Sequence, residues 1–344
     1  MIKYGNKDIA RIFYGEHEVR AILKGDTIVK GAFELKGKFK EDSTENNWWI
    51  TKDGSSVVYY TNIADYVNPD TKEFDYKTIK KVKTLQNLFY QNSAIQEITE
   101  VKGTDTPVLK YMFYQCAYLE SADLSGLKDL QITDMLGVFD GCNRLTKVNL
   151  KGLDTSRCIN FASTFKSCGN LTEVDLSDIN TESSAGFSAM FQGCNVLKSL
   201  NLSKFKTDKA GAFNNMFRMC AALTSLDLSS FNTENGTIFQ ELFYGCSNLQ
   251  ELIVNFDFSK ASAFTNWMYN CSKLKTIRGS ISNLKISVSM SMVPMDNESA
   301  MLFINGVTDV EDEQTLTFKS STYSTLTDEQ IAIATAKGWS VVSA

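Results

Sequence analysis

The chain has a single histidine, His17, and only three prolines in 344 residues. One histidine leaves little scope for the triads and dyads in which imidazole activates a nucleophile. His17 itself reads as a solvated residue of a short strand. No C-x-x-C pair occurs, so the close ligand spacing of zinc sites is absent. No apolar run approaches the ~20 residues that cross a bilayer, which excludes membrane insertion by helices. Basic residues are not clustered: 35 Lys and Arg stand against 40 Asp and Glu, with net charge −5 and pI near 5.2. A nucleic-acid partner, which needs a basic stripe, is therefore not expected. The start, Met1 to Asn6 followed by Asp8 and Glu16, has no apolar core of a signal peptide. Synthesis in the cytoplasm without such a leader is the expectation. These absences point to a protein that is not an enzyme and needs no cofactor or metal.

What is present is a period. Apolar residues at 43 % and charged residues at 22 % are ordinary for a folded chain. Seven of the eight cysteines, Cys116, Cys142, Cys168, Cys194, Cys220, Cys246 and Cys271, are separated by 26, 26, 26, 26, 26 and 25 residues. Phenylalanine stands three before each of the first six: Phe113, Phe139, Phe165, Phe191, Phe217 and Phe243. Met268 takes that place in the seventh. A register kept this long marks a repeat architecture.

Each unit has two halves. The first reads L-x-x-L-x-L-x-x-F, as in Leu197, Leu200, Leu202, Phe205 and Leu223, Leu226, Leu228, Phe231. Its alternating centre predicts a short strand with one buried face. The second half places apolar residues at i, i+3, i+4 and i+7, for example Phe213, Met216, Phe217 and Cys220. That spacing predicts a short helix. Between the halves Thr155, Thr181, Thr207 and Thr233 recur and are expected to cap or tighten the turn before the helix. A first, atypical unit carries Leu85, Leu88, Phe89, Asn92, Ile95 and Ile98. A single unit cannot bury its own apolar stripe, so the units must stack, strand beside parallel strand. The expected fold is α/β: a leucine-rich-repeat solenoid of about eight 26-residue strand-plus-short-helix units. The cysteines in register lie on the buried side, where a thiol behaves as a small hydrophobe. Cys158, out of register in a turn, is expected to be exposed.

Met190-Phe191-Gln192-Gly193-Cys194 and Leu226-Asp227-Leu228-Ser229-Ser230-Phe231-Asn232-Thr233 carry a recognisable motif. It resembles the BspA-like leucine-rich repeats of bacterial surface proteins, over about residues 85 to 280. The resemblance implies a solenoid used for attachment or partner recognition. The last two units depart from the motif at Val254, Phe256 and Trp267-Met268.

The ends differ from the array. Residues 1–37 hold a ten-residue repeat punctuated by Gly5, Gly15 and Gly25, which predicts a β-ribbon of small hairpins. This opening resembles the starts of structural proteins from phages and prophages of gut bacteria. That likeness implies a module docking onto a virion or another assembly partner. Residues 38–80, with Trp48, Trp49, Tyr59 and Tyr60, are expected to form a small β-rich cap on the array, which runs from 81 to 280. Residues 281–344 lose the sequence period and predict an α/β C-terminal cap. In it, helices near Ala300–Ile304 and after Thr327 flank a strand at Thr315–Phe318.

Polar residues between the buried leucines form columns on the strand face. One column is Asp123, Asn149, Asp175, Asn201 and Asp227. Ser121, Lys147, Glu173, Ser199 and Ser225 run on one side of it, and Ser125, Lys151, Ser177, Ser203 and Ser229 on the other. Such columns either simply solvate the face or offer repeated donors and acceptors to a protein or glycan ligand. The candidate contact residues are Asp123, Asn149, Asp175, Asn201 and Asp227, with Ser199 and Ser225 beside them. The densest acidic cluster, Asp309, Glu311, Asp312 and Glu313, reads as a solvated loop rather than as a pair of catalytic carboxylates. The functional expectation is a virion-associated attachment or decoration protein. The alternative is a bacterial cell-surface or secreted adhesin.

Overall fold

In the computed structural model the described residues are 85–87, 89–91 and 108–344. To these it adds the strand backbone of β1 (Ile2–Tyr4), β2 (Lys7–Ile9), β3 (Arg11–Tyr14), β4 (His17–Arg20), β5 (Glu34–Phe39), β6 (Trp49–Ile50), β7 (Ser56–Val58) and β8 (Ile95–Lys102). Residues Trp48, Tyr59, Tyr60, Leu88 and Asn92, and the side chains of His17, Trp49 and Ile95, lie outside the described residues. Further strands are β9 (Ser121–Asp123), β10 (Lys147–Asn149), β11 (Ser225–Leu228), β12 (Glu251–Asp257), β13 (Thr276–Ser282), β14 (Val288–Met290), β15 (Gln314–Phe318) and β16 (Trp339–Ser343). The helices are α1 (Asn297–Gly306), α2 (Ser320–Tyr323) and α3 (Asp328–Thr335). The architecture is mixed α/β, rich in strands and poor in helix, and none of its sheets closes into a barrel among the described residues.

β1 pairs antiparallel with β2, and β3 with β4, as the glycine-punctuated repeat predicts. β5 pairs antiparallel with β7 and with β8, and β8 runs parallel to β9, which is parallel to β10. An antiparallel group thus adjoins the first parallel strand. Farther on, β11, β12 and β13 form one parallel sheet, and β14, β15 and β16 another. Ser121 faces Lys147 and Leu226 faces Leu252, one sequence period apart. In the last sheet Val288 faces Leu316 and Leu316 faces Val341, offsets of 28 and 25 residues. The bonding period therefore outlasts the sequence motif. α1 is capped by Asp296, whose side chain accepts from the Ser299 N–H, and α3 opens on a capping box of Thr327 and Gln330.

One continuous core runs through the units. Phe89, Phe113, Phe139, Phe165, Phe191, Phe217 and Phe243 stack in sequence with centroids 5.2, 5.3, 5.6, 5.7, 6.0 and 5.8 Å apart. Trp267 ends the column against Phe243 at 6.2 Å. Each in-register cysteine is buried and donates its S–H one unit back, as from Cys142 to the Phe113 carbonyl at 3.0 Å and from Cys220 to Phe191 at 3.1 Å.

The short helix expected in each unit is not formed. In its place is a succession of turns, in which alternate N–H groups go to two different places. Those of Met112, Tyr114 and Cys116 donate three residues back, to Leu109, Tyr111 and Phe113. Those of Tyr111, Phe113 and Gln115 donate to Leu136, Val138 and Asp140 of the next unit, at 2.8, 2.8 and 2.6 Å. A left-handed residue every fourth position makes this possible: Tyr111 and Gln115 (both φ 55°), then Gly137 (59°) and Gly141 (82°), then Ser163 (55°) and Ser167 (59°). An α-helix admits no such residue in its interior. The i, i+3, i+4, i+7 spacing holds all the same, because the turns carry the same side chains inward.

Two further expectations are corrected. The carbonyls of the recurring threonines close a turn in their own unit, accepting from the N–H groups of Cys158, Ser184, Ala210 and Gly236, but their side chains do not cap it and instead join one unit to the next. The Thr181 hydroxyl donates to the Lys206 carbonyl at 2.9 Å and accepts the Lys206 N–H at 2.8 Å. Thr155 does the same with Asn180, and Thr233 with Asp257. Cys158 is fully buried, not exposed. It begins an inward column of small buried residues, Cys158, Ser184, Ala210 and Gly236. At Gly236 a Cβ would lie 2.5 Å from the Phe239 ring.

All eight thiols are therefore expected to resist titration in the native protein at about pH 8, and all eight to react once it is unfolded. Burial pushes Cys158, Cys194 and Cys271 up to about 12 from an ordinary 9.0, and raises Cys142, Cys168, Cys220 and Cys246 well above it. A raised folded-state value leaves stability intact below 9.0 and removes it as pH climbs toward about 12. The melting temperature should fall across that window. Rapid labelling of several native thiols would overturn this account of the core.

Candidate functional site

The strand face is concave from β8 to the segment Ser199–Asn201, enclosing an open volume of about 840 Å³. Five of the seven sequence-predicted contact residues line it: Asp123, Asn149, Asp175, Ser199 and Asn201. Asp227 and Ser225 lie on β11, one unit farther along, and are not brought into the same hollow. Lys147 and Glu173 contribute charge to the lining, which the column beside the candidates already contained. The inward residues Ile98, Val148 and Val174 also reach it, and nothing in the sequence pattern marks them as accessible.

The Asp and Asn column has a structural duty. Each side chain ends its strand segment by accepting the N–H two residues on, an Asx turn. Asp123 accepts from Ser125 at 2.8 Å, Asn149 from Lys151 at 3.1 Å, Asp175 from Ser177 at 2.9 Å, Asn201 from Ser203 at 3.1 Å and Asp227 from Ser229 at 2.9 Å. The Ser125 and Ser203 hydroxyls donate to the same oxygens. The Ser177 N–H, then its hydroxyl, holds the Asp175 carboxyl below its ordinary range. The Ser229 hydroxyl, then its N–H, does so for Asp227. These carboxylates stay ionised at neutral pH, each with one oxygen committed to its turn. The lining carries three carboxylates, Asp123, Glu173 and Asp175, against one ammonium, Lys147, so the hollow is acidic.

Elsewhere, Asp309, Glu311, Asp312 and Glu313 are exposed outside any helix or strand, as expected of a solvated loop. Among the described residues no group of three or more His, Cys, Asp or Glu side chains is placed to hold a metal ion, and no helix is long and apolar enough to cross a membrane.

No curated protein matches this chain. A family described as "Mycoplasma protein of unknown function, DUF285" matches residues 106–201 and 175–281, which together span more than half of the 344 residues. The matched stretch contains the cysteine and phenylalanine columns and the polar lining from Asp123 to Asn201. The chain belongs to the DUF285 family.

Proposed function

We propose that the chain is a non-enzymatic binding protein, a leucine-rich-repeat solenoid of the BspA-like kind that presents its strand face to a protein or glycan ligand. The observation that carries this reading is the gathering of Asp123, Asn149, Asp175, Ser199 and Asn201 around one acidic hollow. The solenoid is supported by the hydrogen bonds that join residues one unit apart along the turns and through the threonines. The carrier is proposed to be a phage virion, with the protein serving in attachment or decoration and residues 1–37 docking it to the particle. Display on a bacterial surface is the second reading, favoured by a family description that names Mycoplasma.

The test uses arrays of bacterial surface glycans and of peptides, probed with the labelled full chain. Glu173→Lys with Ser199→Lys changes the lining without touching an Asx turn, whereas Asp175 and Asn201 each hold one. This double variant is expected to keep its melting temperature and to lose about tenfold or more in affinity for whatever the parent binds. A ligand held equally well by the variant overturns the strand-face reading. Immunogold labelling of released particles and of cells decides the carrier.

A further inference from the structure

The turns that end the strand segments settle which atoms the central column turns outward. Asp123, Asp175 and Asp227 each accept the N–H two residues on through one carboxyl oxygen, Oδ1. Asn149 and Asn201 do the same through the Oδ1 of their amides. Only the oxygen of an amide can accept an N–H, so the turn also fixes which way each asparagine faces. Left for a ligand are the second oxygen of each aspartate, an acceptor, and the Nδ2 group of each asparagine, a donor. Among the described residues neither Nδ2 group has a hydrogen-bond partner. The column therefore reads acceptor, donor, acceptor, donor, acceptor from Asp123 to Asp227, and it ends where Asp227 faces Ile253.

An Asx turn is satisfied by either residue type, so the turns do not ask for this alternation. Alternation does keep ionised carboxylates from standing opposite one another on neighbouring segments, which would be repulsive. Its consequence is a pattern that repeats every second unit along an even stack. Phe113–Phe139, Phe139–Phe165 and Phe165–Phe191, one pair to each junction beneath the hollow, stand 5.3, 5.6 and 5.7 Å apart. The hollow is also amphipathic, because Ile98, Ala122, Val148 and Val174 reach it between the polar columns.

We propose that the hollow binds a linear β-1,4-linked chain of N-acetylated hexosamines, laid across the strand segments with one sugar to a unit. The proposal rests on the strand face being the binding face and names the ligand class. Each β-1,4 linkage advances such a chain by one ring, much the same step as one unit, and turns the next sugar over. Acetamido groups thus return to the same edge of the chain at every second sugar, which is the interval of the column. Each brings an N–H to the free oxygen of an aspartate and a C=O to the Nδ2 group of the asparagine beside it. The C–H faces of the rings meet Val148 and Val174, as sugars and other part-apolar ligands do in mixed pockets. Three lining carboxylates against one ammonium disfavour sulfated and uronic-acid chains. An extended peptide repeats one side every ~6.6 Å and drifts out of step with the units.

Calorimetric titration of the full chain with N-acetylchitohexaose, its shorter oligomers and cellohexaose tests this. The N-acetylated hexamer is expected to bind with a Kd below about 1 mM. Cellohexaose, with the same linkage and no acetamido groups, should bind about tenfold or more weakly, since it leaves the column's groups without their partners. Affinity should rise from two sugars to about four, because Asp123, Asn149, Asp175 and Asn201 line the hollow from successive units. Asp123→Asn and Asp175→Asn each keep the turn acceptor and exchange an outward acceptor for a donor. Both should keep the parent's melting temperature and weaken the hexamer about tenfold. No binding of the N-acetylated hexamer at about 1 mM overturns the proposal. Equal binding of cellohexaose, no gain from two sugars to four, or undiminished affinity in either variant also overturns it. The strand-face reading is judged separately: another glycan or a peptide lost on Glu173→Lys with Ser199→Lys would keep the face and discard the acetamido ligand.

Discussion

Phe191→Ala is expected to destabilise the protein by about 3–5 kcal/mol, a large share of the ~5–15 kcal/mol that holds most domains folded. The ring is fully buried between Phe165 at 5.7 Å and Phe217 at 6.0 Å, in near-parallel stacks. Its removal leaves a cavity whose walls are themselves tied to neighbouring units. Phe165 and Phe217 cannot collapse into it without breaking bonds such as Phe165 N–H to Met190 and Phe217 N–H to Leu242. The Phe191 carbonyl, which accepts from the Cys220 thiol, remains in place, so the loss isolates packing from hydrogen bonding. Urea unfolding of the variant measures the cost, with Ile159→Ala as a comparison. Ile159 is 60 % exposed, and its truncation should cost no more than about 0.5 kcal/mol. Similar costs at the two sites would mean that the ring column does not hold the units together.

The period was legible because packing repeats from unit to unit, and the inward side chains must repeat with it. Phe113 to Phe243 and Cys116 to Cys271 could be placed inside from spacing alone. The turn path could not, because a helix and a chain of turns bury the same i, i+3, i+4, i+7 set. What separates them is the sign of φ at positions such as Tyr111, Gln115 and Ser163, whose residue types give no hint. A hint did exist in the same column elsewhere, at Gly137, Gly141, Gly193, Gly245, Asn215, Asn266 and Asn270, the residue types that tolerate the left-handed region. Cys158 was misplaced by being compared with the other cysteines and not with Ser184, Ala210 and Gly236 one, two and three periods on.

The candidate site was legible as columns but not as a shape. Alternation along each strand segment puts Asp123, Asn149, Asp175, Asn201 and Asp227 on one face whatever the spacing between units. The face hollows from Ile98 to Asn201 and not at Ser225 and Asp227, a difference that the repeating pattern of the columns does not carry. The columns also carry two functions that sequence cannot separate. One oxygen of each side chain builds the turn that ends the segment, and only the remainder faces outward. A recurring Asp or Asn there is required by the fold before any ligand is considered.

Thr181→Val is expected to cost about 2–4 kcal/mol although it removes no volume, because it strands two backbone groups at once. The Thr181 hydroxyl is the partner of both the N–H and the C=O of Lys206, at 2.8 and 2.9 Å, and the threonine is 1 % exposed. A valine methyl in its place can neither donate nor accept. Each orphaned group then bears its desolvation penalty of about 1–3 kcal/mol. Thr181→Ser keeps the hydroxyl and loses only a methyl, so it should cost about 1 kcal/mol. The location adds a second signature. Stability in a stacked array is a sum of unit terms and nearest-neighbour terms, and Thr181 belongs to a junction whose strand side has no backbone–backbone hydrogen bonds among the described residues. Weakening that junction should uncouple the units before it from those after it. The dependence of unfolding free energy on urea should become shallower, or the single transition should divide into two. Thr233→Val, at a junction where β11 and β12 are also paired, should lower stability without dividing the transition. Equal behaviour of the two variants would mean that the strand side is as firmly joined in the middle of the array as at its end.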